Sequence, residues 1–393
     1  MNMNNKNWVS VWGNAVSIAE HHPEAYAKYI TLRYPVYIPF AGDTLRFTFD
    51  NYCGSEAVTV TRATVSATTS PVYEKMPHAC PCKKETICDI TFSKNESVTM
   101  EAHQTAVSDP VSFPVRKGMT LTVSLYFADF TLMQSAVLVT GPLSKGFFSL
   151  GDQTHADALP MDTTKTTNWF YFLSNIELMT AEENHTVICY GDSITAGAWP
   201  DYLTLLARQN PDNHTAFIRR ATSGSRVLRQ YECITYDSYG LKGTNRFPHE
   251  IPTTGADTVI IQQGINDIIH PVGIETNPFR PMSDLPTAKE LIDGYRYYIE
   301  EAKKLHLKVY MGTLLPIFGW RTYATFRDDL RNELNAWIRS AKEIDGCIDF
   351  DLALRGSENP SAFREGFDSG DHLHPSSKAY QAMAECAYEV LQR

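Results

Sequence analysis

Two hydrophobic rhythms divide this chain, and the change between them near Thr186 constrains its fold more than any other feature. From about Thr31 to Leu173 the period is two: Leu45, Phe47 and Phe49 alternate with Arg46 and Thr48, and Met119, Leu121, Val123 and Leu125 alternate with Thr and Ser. Such alternation belongs to strands with one buried face. Short strands broken by Gly, Pro, Asn and Asp, with almost no helical periodicity, predict an antiparallel, jelly-roll-like β-sandwich. One early stretch, Ala19 to Tyr29, reads as a helical insertion. After Thr186 short apolar runs alternate with amphipathic ones. Buried strands are expected at Thr186–Tyr190, Thr258–Gln262, Leu307–Leu314 and Cys347–Phe350, with another around His214–Ile218. Ala288–Leu305 sets Leu291, Ile292, Tyr295, Tyr298, Ile299 and Ala302 on one helical face, and Phe326–Ala341 does the same with Leu330, Leu334, Trp337 and Ile338. That order predicts an α/β fold around a parallel sheet. The expected domains are residues 1–182 and 183–393, joined through the polar MTAEENH between Leu178 and His185.

Composition narrows the function classes. A chain of 393 residues that is 43% apolar can bury a large core and favours two domains. A formal net charge of -10 with no basic run argues against an electrostatic hold on nucleic acid or anionic membranes. Residues 1–12 are polar and lack the apolar core of a secretory signal, and no later stretch reaches membrane-spanning length, so a cytoplasmic protein is expected. Of the eight cysteines, Cys189 and Cys347 lie in apolar strand runs and Cys386 on a helical one, which favours buried free thiols over disulfides. Cys80, Cys82 and Cys88 follow His78, but their C-x-C spacing does not suit zinc, so the expectation is a loop with reduced thiols and no metal. The absence of GxxxxGK[ST], GxGxxG and HExxH removes the usual signatures of nucleotide and zinc-peptidase chemistry, and no cofactor is expected.

The chemistry gathers where predicted strands end. The first strand of the second half runs into Gly191-Asp192-Ser193, and in open α/β sheets reactive groups collect at the carboxyl edge. Gly191 permits a sharp turn, and Ser193 can present its own N–H to a developing oxyanion, although capping the next helix is an equally ordinary role for Ser. Before the last helix stands Asp371-His372-Leu373-His374-Pro375. A Ser hydroxyl needs a base to take its proton, and the base needs a carboxylate to orient it; Asp371 and His374, three residues apart in one loop, supply both. His372 is adjacent to Asp371 and is expected to project elsewhere. Asn266, in Gly264-Ile265-Asn266-Asp267, follows a strand and can donate its side-chain amide, and Gly224, in Thr222-Ser223-Gly224-Ser225, can add a backbone N–H.

In that order these four blocks resemble the SGNH hydrolases, also called the GDSL lipase and acylhydrolase family: GDSI at Gly191–Ile194, Gly224, GIND at Gly264–Asp267 and DHLH at Asp371–His374. The likeness spans roughly Thr186 to Arg393. Ile344–Phe350, Asp368–His374 and the early Trp8 and Trp12 are similar to a bacterial subgroup with an added N-terminal β-domain. The second block departs from the family pattern at Arg220 and Ala221. The resemblance implies a flavodoxin-like, three-layer SGNH domain. It further implies Ser193 as nucleophile, His374 as base and then acid, Asp371 as its orienter, and an oxyanion hole from Ser193, Gly224 and Asn266.

The expected activity is hydrolysis of small acyl esters, chiefly acetyl, on small-molecule or carbohydrate alcohols. The aromatics Tyr190, Trp199, Phe318, Trp320 and Tyr323 are candidates for a sugar platform or acyl pocket, against ordinary packing. The N-terminal loop Gly151–Asp157, with His155, is a candidate for shaping the site's mouth. The rival reading is a glycan-binding or interaction protein with a vestigial site.

Overall fold

The computed structural model describes residues 6–19 and 25–392. The chain divides into two compact units, residues 1–186 with 211–218, and residues 187–210 with 219–393.

The first unit is built on antiparallel sheets. Gly42–Asp50 carries the expected alternation, with Leu45, Phe47 and Phe49 fully buried, and pairs with Leu173–Ala181 on one side and with Thr105–Val107 and Val111–Val115 on the other. Lys6–Gly13 continues that sheet beyond Leu173–Ala181. A second sheet runs Lys165–Thr167, Gly146–Leu150, Ile30–Ile38, Met119–Phe127, Arg62–Ala67 and Cys88–Ile90. In Met119–Phe127 simple alternation fails, because Thr120, Thr122 and Ser124 are buried together with Leu121, Val123 and Leu125. The cause is Arg33 on the neighbouring strand: fully buried, it donates to Ser124 Oγ (3.0 Å) and to the carbonyls of Cys80, Gln153 and Ala156 (3.3, 2.6 and 2.8 Å), which pins two loops over that face. His155, in one of those loops, pairs with Asp89 at 3.1 Å.

None of the eight cysteines is in a disulfide, and burial pushes the Cys80 thiol up to about 12. Among the described residues no group of three or more His, Cys, Asp or Glu side chains is placed to hold a metal. The helix expected over Ala19–Tyr29 is corrected in part. Residues 20–24 lie outside the described residues, and Tyr26–Ala27 is a short strand paired with Thr131–Leu132, whose backbone supplies partners that so short a helix could not provide for itself.

A five-stranded sheet is formed by β1 (His185–Gly191), β2 (Thr215–Ala221), β3 (Ala256–Gln262), β4 (Lys308–Gly312) and β5 (Gly346–Ile348), in the order β2-β1-β3-β4-β5. β3 pairs in parallel with β4, and β4 with β5. The helices are α1 (Ser193–Ala196), α2 (Trp199–Arg208), α3 (Gly243–Glu250), α4 (Ile265–Ile269), α5 (Ala288–Lys304), α6 (Thr325–Ser340), α7 (Phe350–Leu354) and α8 (Ser377–Leu391). α5 starts on a capping box between Thr287 and Glu290 and buries Leu291, Tyr295, Tyr298, Ile299 and Ala302 of its expected face, while Ile292 is only half-buried. α6 differs, since its buried face also carries Arg327, Asp328, Arg331 and Asn335. Arg327 donates to the carbonyls of Ile268 and Pro271. Asn335 accepts from Leu314 N (2.7 Å) and donates to Leu314 O (2.8 Å). Polar residues therefore replace apolar ones on that face in order to satisfy loop backbone at the sheet's carboxyl edge. Among the described residues no helix is long and apolar enough to cross a membrane.

Candidate active site

The strand order reverses between β1 and β3, and at such a switch point the loops leaving adjacent strands separate and open a crevice. Ser193, the first residue of α1, follows β1 at this point. Gly191 is required by close approach: a Cβ there would lie 2.3 Å from the carbonyl oxygen of Gln262 and 2.4 Å from Thr195 Oγ1. Asp192 caps α1, its Oδ1 accepting from Ile194 N at 3.1 Å.

One hydrogen-bonded relay joins two distant segments. His374 Nε2 lies 2.9 Å from Ser193 Oγ, and His374 Nδ1 lies 2.6 Å from Asp371 Oδ2. The other oxygen of Asp371 accepts from the backbone N–H groups of Leu373 (3.0 Å) and His374 (2.8 Å) and from Ser369 Oγ (3.0 Å). Partial burial alone would raise the Asp371 carboxyl, but its bonds from the His374 ring and from these backbone donors hold it down at about 2. Asp371 is thus ionised throughout the neutral range. A hydroxyl, an imidazole and an ionised carboxylate in series can pass a proton away from the hydroxyl oxygen and make it nucleophilic. His372 is turned elsewhere, as expected: at φ 65° its Nδ1 pairs with Asp368 Oδ2 at 2.5 Å, and its ring packs where Gly319 has no side chain.

The loop carrying Gly224 is tied to both neighbours. Thr222 N donates to Gly191 O (3.1 Å), and Asn266 Nδ2 donates to Ser225 O (3.1 Å). Gly224 has φ 76°, and a Cβ there would meet the Tyr239 ring at 2.2 Å, so two independent constraints demand glycine. Asn266 is buried in α4 and retains a second amide hydrogen. Asp267 accepts from Val227 N (2.8 Å) and Leu228 N (3.1 Å), holding the start of the next loop, while Gln263 Nε2 donates to Ser225 Oγ (2.9 Å). Arg220, where the family pattern is broken, is buried and donates to Glu250 O (3.2 Å).

Sequence reasoning misses the supporting residues Gln263 and Asp267, Arg246, which donates to Gly191 O at 2.8 Å, and Thr195, which donates to Gln262 Oε1 at 3.1 Å. The polar pair Gln262-Gln263 closing an apolar strand was the available signal. Two aromatic candidates are corrected: Tyr190 and Trp199 are fully buried, Tyr190 packing on Phe247 and Tyr298 and Trp199 against Phe350, so neither lines an open site. Phe318, Trp320 and Tyr323 do lie in the loop after β4, with Phe318 47% exposed.

Asp192 is fully buried, and burial pushes its carboxyl up to about 7, with a smaller opposing effect from the Ile194 N–H. Its proton is held more tightly in the folded chain than in the unfolded one, where the value is about 3.9. The stability it contributes is complete below that value and is lost as pH rises through about 7. Asp192→Asn keeps the cap and removes the titration, so its melting temperature is expected to fall less than the parent's between pH 5 and pH 8. Parallel pH dependences in thermal melts would show that Asp192 does not titrate in this range.

Residues 189–382 match the model of the GDSL-like lipase/acylhydrolase family. No curated protein sequence matches the chain. Similar solved structures include a GDSL-like lipase from Bacteroides thetaiotaomicron, 20% identical, covering 54% of this chain and 89% of its own, with a TM-score of 0.39. A member of the G-D-S-L lipolytic family from Veillonella parvula is 18% identical, over 53% of this chain and 99% of its own, with a TM-score of 0.36. A catalytic mutant of an acetylxylan esterase from Geobacillus stearothermophilus is 17% identical, over 52% of this chain and 93% of its own, with a TM-score of 0.39. The C-terminal α/β domain, which follows an antiparallel β-rich region, thus belongs to the GDSL-like lipase/acylhydrolase (SGNH) family of carboxylic ester hydrolases.

Proposed function

We propose that the protein is a serine esterase that removes short acyl groups, acetyl foremost, from small-molecule or carbohydrate alcohols. The observation that carries this reading is the relay Asp371–His374–Ser193, with contacts of 2.6 and 2.9 Å. In this mechanism Asp371 accepts a hydrogen bond from the Nδ1–H of His374, which fixes the tautomer whose unprotonated Nε2 faces Ser193 Oγ. Oγ attacks the ester carbonyl carbon and its proton passes to Nε2. The carbonyl oxygen, now an anion, accepts from Ser193 N–H, Gly224 N–H and the second amide hydrogen of Asn266. His374 then returns the proton to the leaving alcohol, and water repeats the cycle on the acyl-enzyme. The residues need no cofactor for any of these steps.

The Tyr239 ring packed on Gly224 fills ground beside that donor, which favours a short acyl group. Exposed Phe318, with Trp320 nearby in the same loop, suits stacking on a sugar face.

Two measurements test the reading. Across p-nitrophenyl acetate, butyrate and octanoate, kcat/KM is expected to fall with chain length; a rise toward octanoate would contradict the acetyl preference. Asn266→Ala is expected to lower kcat by about 10²- to 10³-fold, with little change in KM. An unaltered kcat would remove Asn266 from the oxyanion hole.

A further inference from the structure

The loops that follow β2 and α4 hold cations that acyl transfer does not use. Arg280 is only 8% exposed, yet its guanidinium forms no hydrogen bond or ion pair with any described residue, and its Nε is buried without a partner. Its plane rests over the Tyr236 ring at 4.3 Å from the centroid, with Tyr231 at 5.7 Å. A buried guanidinium without a counter-charge is costly, and aromatic faces offset only part of that cost.

Its surroundings add to the positive charge. Arg226, 3% exposed, also lies over Tyr231 and pairs with Asp284 at 3.2 Å. Buried His270, whose Nδ1 contacts Tyr231 Oη at 3.1 Å, is held well below the usual imidazole range by burial and then by Arg280, Arg226 and Arg321. It stays neutral and adds no charge of its own. Asp284 is the one carboxylate among the described residues that any of these three arginines engages. This happens in a chain whose net charge is -10.

The cluster adjoins the candidate oxyanion donors. Tyr239, packed on Gly224, is stacked on Tyr236 at 5.7 Å and lies 5.2 Å from the His270 ring. His270 in turn stands about one helical turn, ~5.4 Å, beyond Asn266.

We propose that Arg280 recognises a carboxylate carried by the ester substrate, so that the preferred substrates are anionic esters. The inference rests on the esterase reading above and names the substrate class of that same site. A guanidinium held flat by Tyr236, with its terminal nitrogens unengaged by the protein, can bond a carboxylate through two parallel N–H donors. The carboxylate can sit on the alcohol, as in an acetylated acidic sugar, or on the acyl group, as in a half-ester of a dicarboxylic acid.

Two matched pairs separate these sources in assays of the full chain. Acetylated methyl glucuronoside and acetylated methyl glucoside differ in a carboxylate on the alcohol side. Mono-p-nitrophenyl succinate and p-nitrophenyl butyrate differ on the acyl side. The parent is expected to prefer the charged member of one pair by at least about tenfold in kcat/KM, chiefly through KM, and the preference is expected to shrink with added salt. Arg280→Gln is expected to bring that ratio near one, and Arg280→Lys, which keeps the charge without the fork, to restore part of it. A parent that discriminates in neither pair overturns the proposal whether or not the variants fold, as does a folded Arg280→Gln that keeps the full preference. If the parent hydrolyses none of the four esters, the esterase reading itself fails; hydrolysis without discrimination removes only the carboxylate site.

Discussion

Replacing Ser193 by alanine is expected to lower kcat on p-nitrophenyl acetate by about a millionfold. The hydroxyl is the one group of the site that would form and break a covalent bond to the acyl carbon, so no neighbour can stand in for it. His374 and Asp371 would keep their 2.6 Å contact, but the imidazole would have no oxygen from which to take a proton. What remains would be binding and the oxyanion donors acting on water. The substitution should not disturb the fold, because the cap of α1 comes from Asp192 and alanine is a good helix former at the first helical position. Turnover is measured alongside a thermal melt, and a folded variant within tenfold of the parent would contradict the assignment.

Asp371→Asn is expected to reduce kcat by about 10⁴-fold with KM little changed. Asparagine preserves the shape and an oxygen that can accept from the Leu373 and His374 backbone, as Oδ1 does now. It presents an amide N–H to His374 Nδ1 where the carboxylate presented an acceptor. The imidazole is then driven to the tautomer with its proton on Nε2, facing Ser193, and cannot act as base. The imidazolium formed during the reaction also loses the charge that stabilises it. Steady-state kinetics at neutral pH separate this from a binding defect, since a large rise in KM with kcat intact would mean that Asp371 shapes the pocket instead of orienting the ring.

Both predictions rest on residues legible in the sequence, and the reason is local. Gly191-Asp192-Ser193, Gly264-Ile265-Asn266 and Asp371-His372-Leu373-His374 are contiguous blocks that each end an apolar run or precede a helical one, so strand-end placement follows from hydrophobic period alone. The strands around them were legible for the same reason: the buried parallel strand Ala256–Gln262 is built on the apolar run Val259–Ile261. Less legible was anything set by long connections. Arg280 and Tyr239 sit in loops without periodicity, and nothing local indicates that Tyr239 will cover Gly224 or that Arg280 will be buried on Tyr236. The polar face of α6 was hidden because Arg327, Arg331 and Asn335 are buried through backbone carbonyls far away in sequence. Tyr190 and Trp199 mislead for the converse reason: nearness to a candidate site block in sequence does not set the face on which a side chain emerges, and both point into the core.

The Ser193 hydroxyl is expected to be activated by its neighbours, and an organophosphonate reads this directly. Incubation with a fluorophosphonate followed by intact-mass and peptide mapping should find one phosphonyl group per chain, on the peptide that contains Ser193, at a rate that falls sharply in Asp371→Asn. Failure to label, or labelling confined to a different serine while the protein still hydrolyses p-nitrophenyl acetate, would contradict the account.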